Sequence, residues 1–173
     1  KGAGDEVVVE SAATGVKRSL KPDASGRFNF NIWQDLYNDK YDKSDMGYFT
    51  NNNTMDQGGW FGYNWTKPRG WYNQLRVNMN FWYSRLVSPI DNLRRKSMMY
   101  QNAGINFNFN AQTKKLWWIG ANINGGPNSH DFYEPRTYGR VFKNKGRINV
   151  NLWWESNSAK RLSWGGSVYA GTG

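Results

Sequence analysis

Residues 71–86 read WYNQLRVNMNFWYSRL, and apolar and polar side chains alternate through the middle of this stretch. Arg76, Asn78 and Asn80 occupy polar positions where a soluble sheet more often carries Lys, Glu or Thr. Successive side chains of a β-strand point to opposite faces of its sheet. The stretch therefore predicts a strand with one dry face and one face rich in asparagine.

The same period of two recurs along the chain and predicts seven strands in all. Aromatic and aliphatic residues alternate with Asn, Gly or Ser in each of them. The seven segments are 27–37, 60–67, 75–83, 103–112, 116–125, 147–156 and 161–171. A chain in which 17% of residues are aromatic and glycine is abundant also favours strands over helices.

The connections between these segments alternate between long and short. Long polar stretches at 38–59, 84–98 and 124–146 alternate with tight turns at 67–70, 112–115 and 157–158. In an up-and-down antiparallel sheet this places every long loop at one end and every tight turn at the other. Outer-membrane barrels have this arrangement, with short periplasmic turns and long extracellular loops.

The sequence therefore predicts an all-β fold, an antiparallel up-and-down transmembrane β-barrel over 27–173. Seven strands are fewer than the eight of the smallest bacterial single-chain barrels. The segment is thus expected to be part of a larger barrel, completed by further strands or by a second chain. Residues 1–26 form an N-terminal segment that holds one further strand or a periplasmic lead-in. The alternative architecture is a soluble β-sandwich whose aromatic residues form the core.

In the barrel, polar side chains face the lumen and apolar side chains face lipid. The residues predicted to face the lumen are Arg76, Asn78, Asn80, Asn106, Asn108, Asn122, Asn149 and Asn151. Asparagine suits a lumen because its uncharged amide both donates and accepts hydrogen bonds. The residues predicted to form aromatic girdles at the membrane interfaces are Trp65, Trp71, Tyr83, Trp117, Trp154 and Trp164.

Charge and composition limit the partners and cofactors. The basic residues behind the net charge of +10 are scattered along the chain, so we expect anionic lipid or glycan rather than nucleic acid as the partner. The basic stretch LRRKS at 93–97 is interpreted as a solvated loop. Without cysteine and with one histidine, the chain is expected to hold no metal and no cofactor.

Three stretches carry a resemblance to a known family. They are YDKSDMGYFTNNNTMDQGGWFGYNWTKPRGW (41–71), HDFYEPRTYGRVF (130–142) and NVNLWWESNSAKRLSWGGSVYAG (149–171). Together they resemble the C-terminal barrel of a large family of Gram-negative outer-membrane proteins without an assigned function. Members of that family typically carry an N-terminal domain similar to carbohydrate-binding module family nine. The resemblance implies a location in the outer membrane and a barrel of many more strands, and it offers no catalytic residues to transfer.

The longest loop contains the residues that are best suited to catalysis or ligand binding. Ser129 and His130 precede a group of charged residues that could serve hydrolysis only if they folded together. We expect instead that the charged residues form a network that fixes the loop or binds a ligand. They are Asp131, Glu134, Arg136 and Arg140.

The expected function is that of an outer-membrane barrel segment in transport, secretion or envelope assembly, and not an enzyme. Its partners would be the lipid bilayer and lipopolysaccharide, together with other outer-membrane or periplasmic proteins or the rest of the barrel. Two alternatives stay open, a soluble carbohydrate-binding β-sandwich and an outer-membrane hydrolase that uses His130.

Overall fold

The computed structural model describes residues 6–12, 15–21, 27–39, 52–88, 99–137 and 140–173, the first two ranges as backbone only. All regular structure in these ranges is β-strand. The strands are β1 (Glu6–Ala12), β2 (Gly15–Lys21), β3 (Phe28–Tyr37), β4 (Thr54–Trp65), β5 (Tyr72–Leu86), β6 (Met99–Thr113), β7 (Trp118–Gly126), β8 (Ser129–Asp131), β9 (Phe142–Asn144), β10 (Arg147–Glu155) and β11 (Gly165–Thr172).

Nine of the strands form one antiparallel meander in the order β1-β2-β3-β4-β5-β6-β7-β10-β11. The small β8–β9 hairpin is inserted between β7 and β10. Within the described residues β1 and β11 are the two edges and do not pair with each other, so the sheet is open. The prediction of an all-β, up-and-down antiparallel fold is confirmed.

The seven predicted strands correspond to β3–β7, β10 and β11, with shifted boundaries. β4 begins at Thr54, six residues before the predicted start at Trp60, because its first residues continue the pairing with both β3 and β5. β11 begins at Gly165 rather than 161, because a loop from 156 to 164 precedes it. The segment 1–26, for which one further strand or a periplasmic lead-in was predicted, contains the two strands of the β1–β2 hairpin.

The register of the sheet sorts side chains onto two faces, since directly paired residues share a face. One, here called the apolar face, carries Phe28, Phe30, Ile32, Leu36, Phe61, Tyr63, Val77, Met79, Phe81, Ile105, Phe107, Phe109, Ile119, Ile123, Ile148, Val150, Leu152, Trp154 and Val168. The other, here called the asparagine face, carries Asn29, Asn31, Asn64, Arg76, Asn78, Asn80, Asn106, Asn108, Asn110, Asn122, Asn124, Asn149 and Asn151.

The connections are sorted by length from β3 onward. At one end of the sheet, here called the long-loop end, β3, β5 and β7 end and β4, β6 and β10 begin, and the residue numbers between them are 38–53, 87–98 and 127–146. The connections 66–71, 114–117 and 156–164 lie at the other, here called the tight-turn end, although 156–164 is longer than the turn predicted at 157–158. The β1–β2 pair is an exception, because β1 ends and β2 begins at the long-loop end with only two residues of sequence between them.

The sheet has little hydrophobic core of its own. Among the described residues, Leu86, Ala111 and Phe132 are the buried hydrophobic side chains. Phe28, Met79, Ile105, Ile148 and Leu152 on the apolar face are all exposed. A soluble domain normally packs a second layer against such a face, and the described residues supply only the short β8–β9 hairpin besides the main sheet.

Candidate functional site: the asparagine face

Two neighbouring rows of asparagine cross the centre of the asparagine face. One row pairs Asn80, Asn106, Asn124 and Asn149 on β5, β6, β7 and β10, and the other pairs Asn78, Asn108, Asn122 and Asn151 on the same strands. Each strand contributes one residue to each row, because residues two apart point to the same face.

Hydrogen bonds between side chains link these rows. Asn108 is the centre of the network, since its Nδ2 donates to Asn78 Oδ1 at 2.9 Å and to Asn106 Oδ1 at 2.6 Å. Asn122 Nδ2 donates to Asn108 Oδ1, and Asn80 Nδ2 donates to Asn106 Oδ1 at 3.1 Å. An amide can continue such a ladder from strand to strand because it donates and accepts at once.

All eight residues predicted to face the lumen lie on the asparagine face. Arg76 Nε donates to Asn64 Oδ1 at 2.9 Å, and Tyr169 OH donates to Asn149 Oδ1 at 2.8 Å. The same face also carries five further asparagines with the same strand parity, which are Asn29, Asn31, Asn64, Asn110 and Asn124.

Tryptophan side chains also lie on the asparagine face, which the sequence prediction missed. Trp33, Trp82 and Trp153 share strand parity with asparagine, and each lies against a glycine on the neighbouring strand. A Cβ added to Gly58 would come within 2.2 Å of the Trp33 ring, and one added to Gly104 within 2.1 Å of the Trp82 ring. These rings therefore lie flat over the glycine backbone, which leaves the opposite ring face directed away from the sheet.

The residues predicted as girdles lie near the two ends of the sheet. Trp65, Trp71, Trp117, Trp154 and Trp164 are at the tight-turn end, and Tyr83 is near the long-loop end. Trp117 and Trp164 meet edge to face with ring centroids 5.1 Å apart. Trp65 and Trp154 belong to the apolar face, as does Tyr83, whose ring has the Arg85 guanidinium 4.6 Å from its centroid.

A loop after β8 packs against the long-loop end of the sheet. The hydroxyl of Tyr133 donates a hydrogen bond to the backbone carbonyl of Asn52. Burial raises the pKa of Tyr133 to about 12, with smaller contributions from the charges of Asp131 and Asp56. Asp56 belongs to the asparagine face and accepts hydrogen bonds from Ser84 Oγ and, at 3.3 Å, from Thr54 Oγ1. The loop is thus fixed against this end of the sheet.

The four charged residues predicted to form a network do not pair with one another in the described part of the chain. Asp131 Oδ1 instead accepts hydrogen bonds from the backbone N–H groups of Tyr133 at 2.9 Å and Glu134 at 3.0 Å, which fixes the turn. Glu134, Arg136 and Arg140 are exposed, and Arg136 adopts a left-handed backbone conformation with φ of 48°.

The residues considered for hydrolysis are not arranged as a catalytic triad. His130 Nδ1 lies 3.4 Å from the Tyr100 carbonyl, and the Asp131 carboxylate is engaged with backbone N–H groups rather than with the imidazole. The described ranges also contain no group of three or more His, Cys, Asp or Glu side chains suited to a metal ion.

Comparison with known families shows which family the chain belongs to. It belongs to the DUF5916 family, described as a domain of unknown function, whose model matches residues 5–172. Comparison with curated proteins gave no match, and comparison with solved structures gave none either. Among the described residues there is no helix long and apolar enough to cross a membrane.

Proposed function

We propose that the chain is a segment of an outer-membrane β-barrel in a Gram-negative bacterium, acting in transport, secretion or envelope assembly. The apolar face contacts lipid, and the asparagine face lines a lumen. The observation that carries the proposal is the exposure of the apolar face: Ile105 is 53%, Ile148 51% and Leu152 50% exposed. Contiguous apolar surface of this kind marks a binding or membrane surface rather than a free face in water.

Three further observations support the proposal. Aromatic side chains lie at both ends of the apolar face, as membrane-interface girdles do. The opposite face is lined by amides that hydrogen-bond one another, which suits a lumen in contact with water. The resemblance of 41–71, 130–142 and 149–171 to an outer-membrane barrel family implies the same location and so supports the proposal.

A cysteine scan along β5 tests which face contacts lipid. The chain has no cysteine, so each introduced thiol is the only one. In lipid vesicles, Val77→Cys and Met79→Cys are expected to resist a charged, membrane-impermeant thiol reagent, whereas Asn78→Cys and Asn80→Cys are expected to react. Equal reaction on both faces would contradict the proposal, and so would a protein that stays folded and monodisperse in plain buffer without detergent.

A second scan tests the orientation of the barrel. Lys145 lies near the long-loop end and Lys115 in a tight turn, and both are exposed. Lys145→Cys is expected to react with the impermeant reagent on intact cells, whereas Lys115→Cys is expected to react only after the outer membrane is permeabilised. The reverse pattern would show that the long loops face the periplasm.

A further inference from the structure

A pocket of about 330 Å³ opens at the tight-turn end of the asparagine face. Its walls come from two adjacent register rows across β4, β5, β6, β7 and β10. The lining side chains from this face are Asn64, Gln74, Arg76, Asn110, Trp118 and Trp153. The pocket thus combines two indole rings with three amides and one guanidinium.

The indole rings provide flat surfaces for stacking. Trp153 lies over Gly120, where an added Cβ would come within 2.2 Å of the ring. One ring face is therefore covered by backbone, and the ring is held parallel to the sheet. Trp118 lies on β7, two residues before Gly120, and is also part-exposed. A flat, rigid indole beside amides fits a ligand with one apolar face and hydroxyl groups around its edge.

The polar residues of the pocket determine which polar groups a ligand must carry around its ring. Asn64, Gln74 and Asn110 offer amide donors and acceptors, which match hydroxyl groups that also donate and accept. Arg76 Nε is fixed by Asn64 Oδ1 at 2.9 Å, and its remaining N–H groups have no carboxylate partner within the described residues. Glu155, which pairs with Trp118 in register, does not line the pocket. The charge left for a ligand is therefore positive.

We infer that this pocket binds an acidic saccharide, with a sugar ring stacked on Trp118 and Trp153 and its carboxylate held by Arg76. A guanidinium binds a carboxylate through two parallel hydrogen bonds, which gives both affinity and orientation. The inference rests on the proposed function only for its setting, in which the pocket lies in the lumen. The pocket itself is a property of the sheet.

The test is calorimetric titration of the intact protein in detergent micelles with tetragalacturonic acid, with maltotetraose as the neutral probe and inorganic phosphate as the bare anion. We expect saturable binding of the acidic saccharide, with at least tenfold weaker binding of both other probes. Arg76→Gln and Trp118→Leu are each expected to weaken binding by about tenfold, the effect of losing one charged hydrogen-bond pair or one stacking surface.

Matched variants outside the pocket serve as controls. Arg69→Gln, in the turn before β5, and Trp164→Leu, at the tight-turn end outside the pocket, are expected to leave binding unchanged. Arg76→Lys retains the positive charge but cannot form two parallel hydrogen bonds to a carboxylate. A loss of affinity between that of the unchanged protein and that of Arg76→Gln would show that both the charge and the planar guanidinium contribute to binding. Far-ultraviolet circular dichroism of each variant verifies that the sheet is intact.

Three outcomes would overturn the inference: no saturable binding, equal binding of the neutral saccharide, or binding that Arg76→Gln and Trp118→Leu leave unchanged in folded protein. These outcomes are separable from failure of the proposed function, which the detergent requirement and the thiol reactivity of β5 measure without any saccharide. If the protein were soluble without detergent and still bound the acidic saccharide, the pocket inference would stand and the barrel proposal would be wrong.

Discussion

A charge placed at the centre of the apolar face should destabilise the protein strongly if that face contacts lipid. Met79 is 40% exposed and lies on β5, four residues from Leu75 and four from Tyr83. Leu75 belongs to the register row of Trp65 and Trp154, and Tyr83 lies near the opposite girdle. At about 3.4 Å per residue, Met79 is roughly 14 Å along the strand from each.

A strand tilted by about 45° converts this distance to roughly 10 Å of depth on each side, which places Met79 near the middle of an apolar band about 25 Å tall. Met79→Arg should therefore cost about 2–4 kcal/mol, the penalty for a cation at the midplane of a barrel wall. Leu75→Arg, at the level of the girdle, should cost about 0–1 kcal/mol. Asn78→Arg, beside Met79 on the opposite face, should cost about 1 kcal/mol for its lost hydrogen bond with Asn108.

The assay is denaturant unfolding of the protein from phospholipid vesicles, followed by tryptophan fluorescence, for all three variants. The order of the three costs is more informative than any single value, because the cost of an arginine varies with depth in the membrane only at positions that face lipid. If Met79→Arg cost less than about 0.5 kcal/mol, as a surface substitution in water does, the assignment of the apolar face to lipid would be wrong.

Three other predictions concern the asparagine face and its loop. Gly104→Ala places a Cβ 2.1 Å from the Trp82 ring, so it should cost about 1–3 kcal/mol in the same unfolding assay; an equal cost in a Trp82→Leu background would show that the ring is not the cause. Asn108→Leu removes three side-chain hydrogen bonds and should cost about 1–3 kcal/mol, whereas Asn110→Leu on the same strand and face should cost less. The pKa of Tyr133 is raised from 10.0 to about 12, so its stabilisation of the loop is complete below pH 10 and is lost as the pH rises through 12; a phenolate absorbance difference between the protein and Tyr133→Phe with a midpoint near 10 would contradict this.

The strands and the two faces could be predicted because strand parity is a local property of the chain. Met79 and Asn80 are neighbours in sequence and lie on opposite faces, as the period of two requires. The same parity places Trp82 on the asparagine face. The girdle prediction named only aromatic residues that lie toward strand ends, and it assigned Trp82 to neither face although its parity in β5 was available.

The contacts that define the site could not be predicted from local pattern. Trp82 lies flat because Gly104 faces it on the next strand, and that pairing depends on the register between strands joined by a long loop. The hydrogen bond from Tyr133 to Asn52 joins residues 81 positions apart, and no periodicity connects two irregular segments. The pocket at Arg76 likewise needs five strands in register before its six side chains meet.

The asparagine rows also explain how a sheet with so small a core selects one register. A slip of one residue between β5 and β6 would move Asn106 and Asn108 to the apolar face and break their bonds to Asn80 and Asn78. A slip of two residues would keep the faces but would set Trp82 against Asn106 or Asn102 instead of Gly104, where only a glycine leaves room for the flat ring. The amide ladders therefore exclude odd shifts and the tryptophan–glycine pairs exclude even ones. The polar face thus contributes to the strand alignment that brings Arg76, Trp118 and Trp153 into one pocket.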